Sequence, residues 1–326
     1  MNKIGIMGSG AFGTGLASAL SNADNKIILW GRNSNNAKYI NSKNTNQHYL
    51  PNIKIPKSIF ATSDFQDLNN INVLLMVTPA QHLRETLNSF KIKNLKCPII
   101  VCSKGIESKT GKLQSEIVKD VLGNIDCAAI SGPGFAIELA KGMPTALTLA
   151  ADDLDLGKKL QSMLSSETLR LYLSNDLRGV QLGGSLKNVY AIACGIIVGS
   201  NLGESARAAV ITRGFAELSR LAHAMGGNIN TLNGLSGFGD LALSCTSQLS
   251  RNFSYGQQLA KSGNLQPNQT VEGISTALAT IKLAEDYNVE MPIASQVALV
   301  LSGKTTIDTA LKELMRRPLK EENIIE

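Results

Sequence analysis

The sequence predicts an α/β protein in two parts, a mostly parallel sheet with crossover helices followed by an all-helical half. Short apolar runs alternate with helix-like segments through the first half. A glycine-rich turn, Gly8-Ser9-Gly10-Ala11-Phe12-Gly13, separates the first run from the first helix. Beyond Leu173 the alternation stops and helical periodicity takes over. Strands alternating with helices imply parallel neighbours joined by crossovers.

Ile4–Met7 reads as a buried strand, the glycine turn follows, and a helix runs from about Gly13 to Leu20. A second strand spans Lys26–Trp30, and further strand-like runs lie at Val73–Val77, Ile99–Cys102, Ile125–Ile130 and Thr145–Ala150. Loop chemistry follows them in Thr78-Pro79, Ser103-Lys104-Gly105 and Gly132-Pro133-Gly134. Ligands of such sheets sit outside the carboxyl ends of the strands, so these loops are where function is sought. The segment Asn33–Asn52 is rich in Asn, Lys and Ser and reads as a polar excursion with no assigned role. In the second half Val180–Val198, Arg207–Met225, Gly273–Tyr287, Ile293–Ser302 and Ile307–Arg316 read as helices, with no strand among them. Within Arg207–Met225, Val210, Ile211, Phe215, Leu218, Leu221, Ala222 and Met225 share one face. The boundary falls near Asn175–Gly179, giving domains 1–178 and 179–326, and the charged tail beyond Pro318 is expected to fray.

The 326 residues exceed a comfortable single core. Apolar residues make up 43% and charged residues 18%, which excludes a disordered chain. The net charge of +6 comes without a dense basic stripe, and aromatics are only 5%, so a small anionic ligand explains the excess and nucleic acid is not expected. Cys97, Cys102, Cys127, Cys194 and Cys245 form no CxxC pair and read as reduced, buried thiols, with no metal site expected. Lys3, an apolar stretch and Ala17-Ser18-Ala19 mimic a secretory signal, but glycines break the stretch and the positive region is one lysine. The longest apolar segment, around Val189–Val198, reads as too short to cross a bilayer, so a cytoplasmic protein without membrane insertion is expected.

A lone GxGxxG is weak, but here it follows a strand and opens a helix, as a Rossmann-like dinucleotide site requires. Gly8 permits the tight turn, Gly10 lets the backbone approach a pyrophosphate, and Gly13 lets helix and strand pack closely. The second strand ends Leu29-Trp30-Gly31-Arg32, with no acid for a ribose 2′-hydroxyl. Arg32 would pair with a 2′-phosphate without requiring one, so either NADP or NAD is expected.

The helical half holds Gly183-Gly184-Ser185-Leu186-Lys187-Asn188, a lysine and an amide within an apolar helix start. A buried lysine is costly and needs a partner or a route to solvent. Then come Gly239-Asp240-Leu241, Ser250-Arg251-Asn252 and Val271-Glu272-Gly273. Each alone could be a loop or a cap, and Asp240 could simply cap the helix that follows it.

In order, these segments resemble bacterial-type NAD(P)-dependent glycerol-3-phosphate dehydrogenase over nearly the whole chain. Tyr49-Leu50-Pro51, Ser103-Lys104-Gly105 and Ile130-Ser131-Gly132-Pro133 add to the match. The resemblance implies reversible reduction of dihydroxyacetone phosphate to sn-glycerol 3-phosphate, a phospholipid precursor. It implies that Lys187 is the catalytic lysine, beside which Lys104 and Asp240 are read as catalytic partners, and substrate contacts from Lys104, Gly132, Gly134, Lys187, Asp240, Ser250, Arg251 and Asn252. Cofactor contacts are implied for Gly8, Gly10, Ala11, Phe12, Gly13, Arg32, Lys104, Ala136, Arg251, Thr270 and Glu272. Two positions depart from the family: Gly134 replaces its usual Ser or Thr, and Ser244 replaces a common Thr while keeping the hydroxyl.

Ketone reduction needs a hydride donor and a proton donor. His48, His82 and His223 lie in the excursion, after a strand loop and in mid-helix, and none suits the acid. Lys187 fits, with Lys104 and Asp240 tuning it and Arg251 and Asn252 holding the phosphate. A β-hydroxyacid dehydrogenase is the nearest rival, but it places an asparagine four residues after its lysine, where this chain has Ala191. A non-catalytic NADPH sensor would have no use for Lys104, Lys187 and Asp240 together. Long apolar helices in the second half suggest a homodimer.

Overall fold

The computed structural model describes residues 1–326 except 23, 90–94, 264–269, 320 and 322–326. The expected frayed tail beyond Pro318 lies mostly outside the described residues. The chain forms two compact units, one of residues 1–103 and 114–177, the other of residues 104–113 and 178–326.

The first unit is built on strands β1 (Asn2–Met7), β2 (Asn25–Trp30), β3 (Thr45–Asn46), β4 (Leu50–Lys54), β5 (Ile59–Thr62), β6 (Val73–Met76), β7 (Ile99–Val101), β8 (Cys127–Ser131), β9 (Thr145–Ala151) and β10 (Leu169–Ser174). Its helices are α1 (Ala11–Leu20), α2 (Ser34–Lys43), α3 (Leu83–Ser89), α4 (Gln114–Leu122), α5 (Ala136–Ala140) and α6 (Leu154–Leu164). Eight strands form one sheet in the order β10-β9-β8-β7-β6-β1-β2-β5. Every neighbouring pair is parallel except β8 with β9. Strand order reverses at β1, which lies between β2 and β6, so the glycine loop after Met7 sits at the topological switch point. Strands covered on both faces are mostly apolar, and Ile4, Ile6, Leu29, Val73, Leu75, Ile100 and Ile130 fill this core.

The Asn33–Asn52 excursion is structured. Asn33 caps α2 by accepting from the Asn35 and Asn36 N–H groups, and β3 and β4 then pair as a separate antiparallel ribbon. Leu50 and Ile53 of that ribbon bury against Ala140, beside Ala11 and Ala136. Composition hid this, because the apolar contacts come from few residues between polar ones. Strands β5 and β10 are likewise absent from the expected set. β10 alternates buried and exposed residues and carries Arg170 and Tyr172 outward, as an edge strand does.

The second unit comprises α7 (Leu177–Gly199), α8 (Glu204–Ala224), α9 (Ile229–Leu232), α10 (Asp240–Thr246), α11 (Arg251–Ser262), α12 (Glu272–Asp286), α13 (Pro292–Leu301) and α14 (Ile307–Met315). Three of these, α9, α10 and α11, are absent from the expected helices, and the segments that open α10 and α11 read from sequence alone as a loop or a cap. Helix α7 corrects the estimate of the apolar segment at Val189–Val198. It runs 23 residues and is long and apolar enough to span a bilayer, yet 94% of its most apolar window is buried. Its apolar circumference is explained by a central position, with Leu186, Val189, Tyr190 and Ile192 in a core shared with Leu218, Phe253 and Ala277. A Cβ at Gly195 would stand 2.0 Å from the Phe253 carbonyl, so glycine lets α7 and α11 cross in backbone contact. Tyr190 donates to Glu217, whose carboxylate accepts from the Ile293 and Ala294 N–H groups at 2.7 and 3.1 Å, tying α7 and α8 to the start of α13.

Candidate active site

In the first unit the glycine loop links β1 to α1. Gly8 has φ +127°, and a Cβ there would stand 2.7 Å from the Val77 carbonyl oxygen. A Cβ on Gly13 would reach the Gly8 carbonyl, so both glycines are required by backbone approach. Gly10 is different, because nothing lies within 4 Å of its Cβ position. Gly10 also N-caps α1 without a side-chain hydrogen bond. A glycine at this cap leaves room at the positive end of a ten-residue helix, which fits an anionic pyrophosphate. Ala11 and Phe12 are half-buried in its first turn, and Ala136 opens α5. Arg32 is exposed beyond the end of β2. Gly132 follows β8 with φ +140°, again a conformation that favours glycine.

In the second unit three charged groups converge. The Lys187 Nζ donates to Asp240 Oδ1 at 2.9 Å, and the Lys104 Nζ donates to Asp240 Oδ2 at 2.7 Å. The Lys187 Nζ also donates to the Ser244 hydroxyl at 2.5 Å. Asp240 is the first residue of α10 and its side chain makes no capping bond, so the capping alternative is not realised. Ser244 lies one turn further along α10, which is why a hydroxyl four residues after the aspartate reaches the same ammonium.

Below Lys104 runs an amide relay. Asn188 donates to the Lys104 carbonyl at 3.1 Å and accepts from Asn252 at 2.9 Å. Asn252 accepts in turn from the Gly273 N–H at 2.9 Å. Asn188 and Ser244 were not among the predicted site residues. The polar Asn188 within an apolar helix start was the available signal for one, and the helical spacing from Asp240 for the other.

Burial is the largest influence on Lys187 and pushes its pKa below the ordinary lysine value; Asp240 opposes this and Lys104 adds to it. Burial alone would raise the Asp240 carboxyl, but the charges of Lys104 and Lys187 and their hydrogen bonds together hold it below the usual carboxylate range. One buried carboxylate thus accepts from two lysine side chains.

The other predicted residues are spread along this unit and the first. Ser250 is buried as the N-cap of α11, its hydroxyl accepting from the Phe253 N–H. Arg251 is exposed at the first position of α11, Thr270 is exposed before α12, and Glu272 begins α12. At Gly134 a Cβ would meet Leu147 and Thr145 side chains at 3.3 Å, so the family's serine would need both to yield slightly. His48, His82 and His223 are all exposed, and His223 lies in the last turn of α8 rather than in mid-helix. All five cysteines are buried thiols outside any disulfide, and burial pushes Cys97 up to about 11 and Cys127 to about 12. Such thiols are poor nucleophiles at neutral pH.

Comparisons with known proteins agree along the whole chain. Residues 3–156 match the model of the NAD-dependent glycerol-3-phosphate dehydrogenase N-terminus, and residues 176–312 match the model of its C-terminus. A glycerol-3-phosphate dehydrogenase [NAD(P)+] of Parvibaculum lavamentivorans is 43% identical, with 98% of each chain covered. One of Roseobacter denitrificans is 44% identical over 98% of this chain and 100% of its own. The crystal structure of glycerol-3-phosphate dehydrogenase from Coxiella burnetii superposes with a TM-score of 0.90 at 35% identity, covering 97% of this chain and 99% of that one. The chain belongs to the NAD-dependent glycerol-3-phosphate dehydrogenase family.

Proposed function

We propose that this enzyme reversibly reduces dihydroxyacetone phosphate to sn-glycerol 3-phosphate with NADPH or NADH, supplying glycerophospholipid synthesis. The observation that carries it is the buried Lys104–Asp240–Lys187 cluster, which provides an acid next to a carboxylate that fixes its position. When bound, the nicotinamide supplies the hydride. Lys187 stabilises negative charge developing on the carbonyl oxygen and gives that oxygen a proton, leaving a neutral amine that solvent reprotonates. Asp240 holds the ammonium in place, and Lys104 keeps the cluster positive toward an anionic substrate. Arg251 clamps the phosphate with its planar fork, and Asn252 assists. Gly8 to Gly13, with Ala11 and Phe12, hold the dinucleotide, together with Arg32, Lys104, Ala136, Arg251, Thr270 and Glu272. Gly132, Gly134 and Ser250 complete the substrate contacts.

We place the enzyme in the cytoplasm, where buried free thiols stay reduced, and propose a homodimer formed through the helical half, to be read from its mass in solution. The deciding experiment monitors oxidation of NADPH and of NADH separately with dihydroxyacetone phosphate as acceptor. Turnover with either supports the assignment and ranks the cofactors. Binding of NADPH without turnover would sink it.

A further inference from the structure

We propose that Asn46 is a positioning residue of the glycine loop, its side-chain amide holding the Ser9–Gly10 peptide so that the Gly10 N–H is turned away from the protein toward an incoming pyrophosphate. Asn46 lies on β3, inside the excursion that composition left without a role. It is fully buried. Its Nδ2 donates to the Ser9 carbonyl at 2.9 Å and to the Thr14 hydroxyl at 2.8 Å, so both amide hydrogens are engaged. The Ser9 carbonyl only accepts, which fixes which end of the amide faces it. Oδ1 is left buried without a hydrogen-bond partner in the structure. A buried unpaired oxygen is costly, and an amide that bears the cost while spending both donors on the loop points to the loop as what it serves.

Peptide geometry supplies the consequence. In a trans peptide the C=O and N–H point in opposite directions, so anchoring the Ser9 oxygen on Asn46 orients the Gly10 N–H to the other side. Gly10 itself has room beside it, with nothing within 4 Å of its Cβ position. The Ser9 side chain is confined as well, since a Cβ on Gly31 would collide with its hydroxyl. The hairpin carrying Asn46 is itself anchored by Leu50 and Ile53, which pack beside Ala11 and Ala136. An anion-binding N–H whose direction is set before the ligand arrives pays less ordering cost on binding.

The proposal rests on assigning Gly8–Gly13 to the pyrophosphate. The test titrates the full-length protein with NADPH, with ADP-ribose and with 2′-AMP, which lacks the pyrophosphate, using wild type, Asn46→Ala and Asn46→Asp. Both variants should bind NADPH and ADP-ribose about tenfold more weakly and 2′-AMP within about twofold of wild type. The KM for NADPH should rise in parallel, while the KM for dihydroxyacetone phosphate and kcat at saturating cofactor move by less than about twofold. Wild-type affinity for ADP-ribose in Asn46→Ala would overturn the proposal. So would an equal loss for all three ligands, which marks general loosening of the unit. A Gly10→Val variant separates the two levels: if it binds ADP-ribose like wild type, the pyrophosphate assignment itself fails and the proposal falls with it.

Discussion

Lys187 and Asp240 form an ion pair of 2.9 Å in which the side chains are 9% and 2% exposed. A pair so buried persists because the carboxylate also takes Lys104 and the lysine also reaches Ser244. Lys187→Ala should lower turnover by roughly 10²–10⁴-fold, the range for a lost general acid. NADPH affinity, measured by nicotinamide fluorescence, should stay near wild type. Retained turnover would remove Lys187 from the mechanism.

The pH dependence follows from the lowered Lys187 pKa. Reduction uses the ammonium, so its rate falls as pH rises through that pKa; oxidation uses the neutral amine and rises through it. Both limbs should lie below the ordinary lysine value of 10.5. Asp240→Asn removes the influence that raises Lys187 and should move both limbs to still lower pH. It should also cost stability, about 3–5 kcal/mol, because the buried Lys187 and the half-buried Lys104 lose their shared carboxylate. Rate profiles in both directions and urea unfolding check the two parts.

Arg251 is exposed at the first position of α11, where a guanidinium is free to reach a ligand. Arg251→Ala should raise the KM for dihydroxyacetone phosphate roughly 10- to 100-fold, the worth of hydrogen bonds to a charged group. Unphosphorylated dihydroxyacetone should be a poor substrate of the wild type and should respond little to the substitution. Equal use of the two ketones would rule out a phosphate clamp.

Glu217 makes stability depend on pH away from the site. Burial raises its pKa from 4.5 to about 7, against the pull of the Ile293 and Ala294 N–H groups. The folded state then holds a proton that the unfolded state has released between those values, so stability falls as pH rises from about 4.5 to about 7 and is flat above. The loss is on the order of 3 kcal/mol. Thermal melts of wild type and Glu217→Gln across that window should converge toward the acid end, with the wild type losing ground as pH rises. Parallel curves would show that Glu217 does not titrate there.

By itself the sequence determined what depends on local pattern. Strand–loop–helix order and the spacing of Gly8, Gly10 and Gly13 marked the sheet and its glycine turn, because backbone approach at Gly8 and Gly13 tolerates no side chain. The order of the lysine, aspartate and arginine segments carried the family resemblance. The edge strands β5 and β10 stayed hidden, since each is short and pairs with a strand more than twenty residues away, and the β3–β4 hairpin because its few apolar residues lie between polar ones. Only the tertiary structure decided who touches whom. Asp240 serves two lysines, one 136 residues and one 53 residues away along the chain, and Asn46 reaches Ser9 across 37 residues. Contacts of that reach are set by how elements pack, and a buried charge or amide reveals its partner only once the packing has brought the two together.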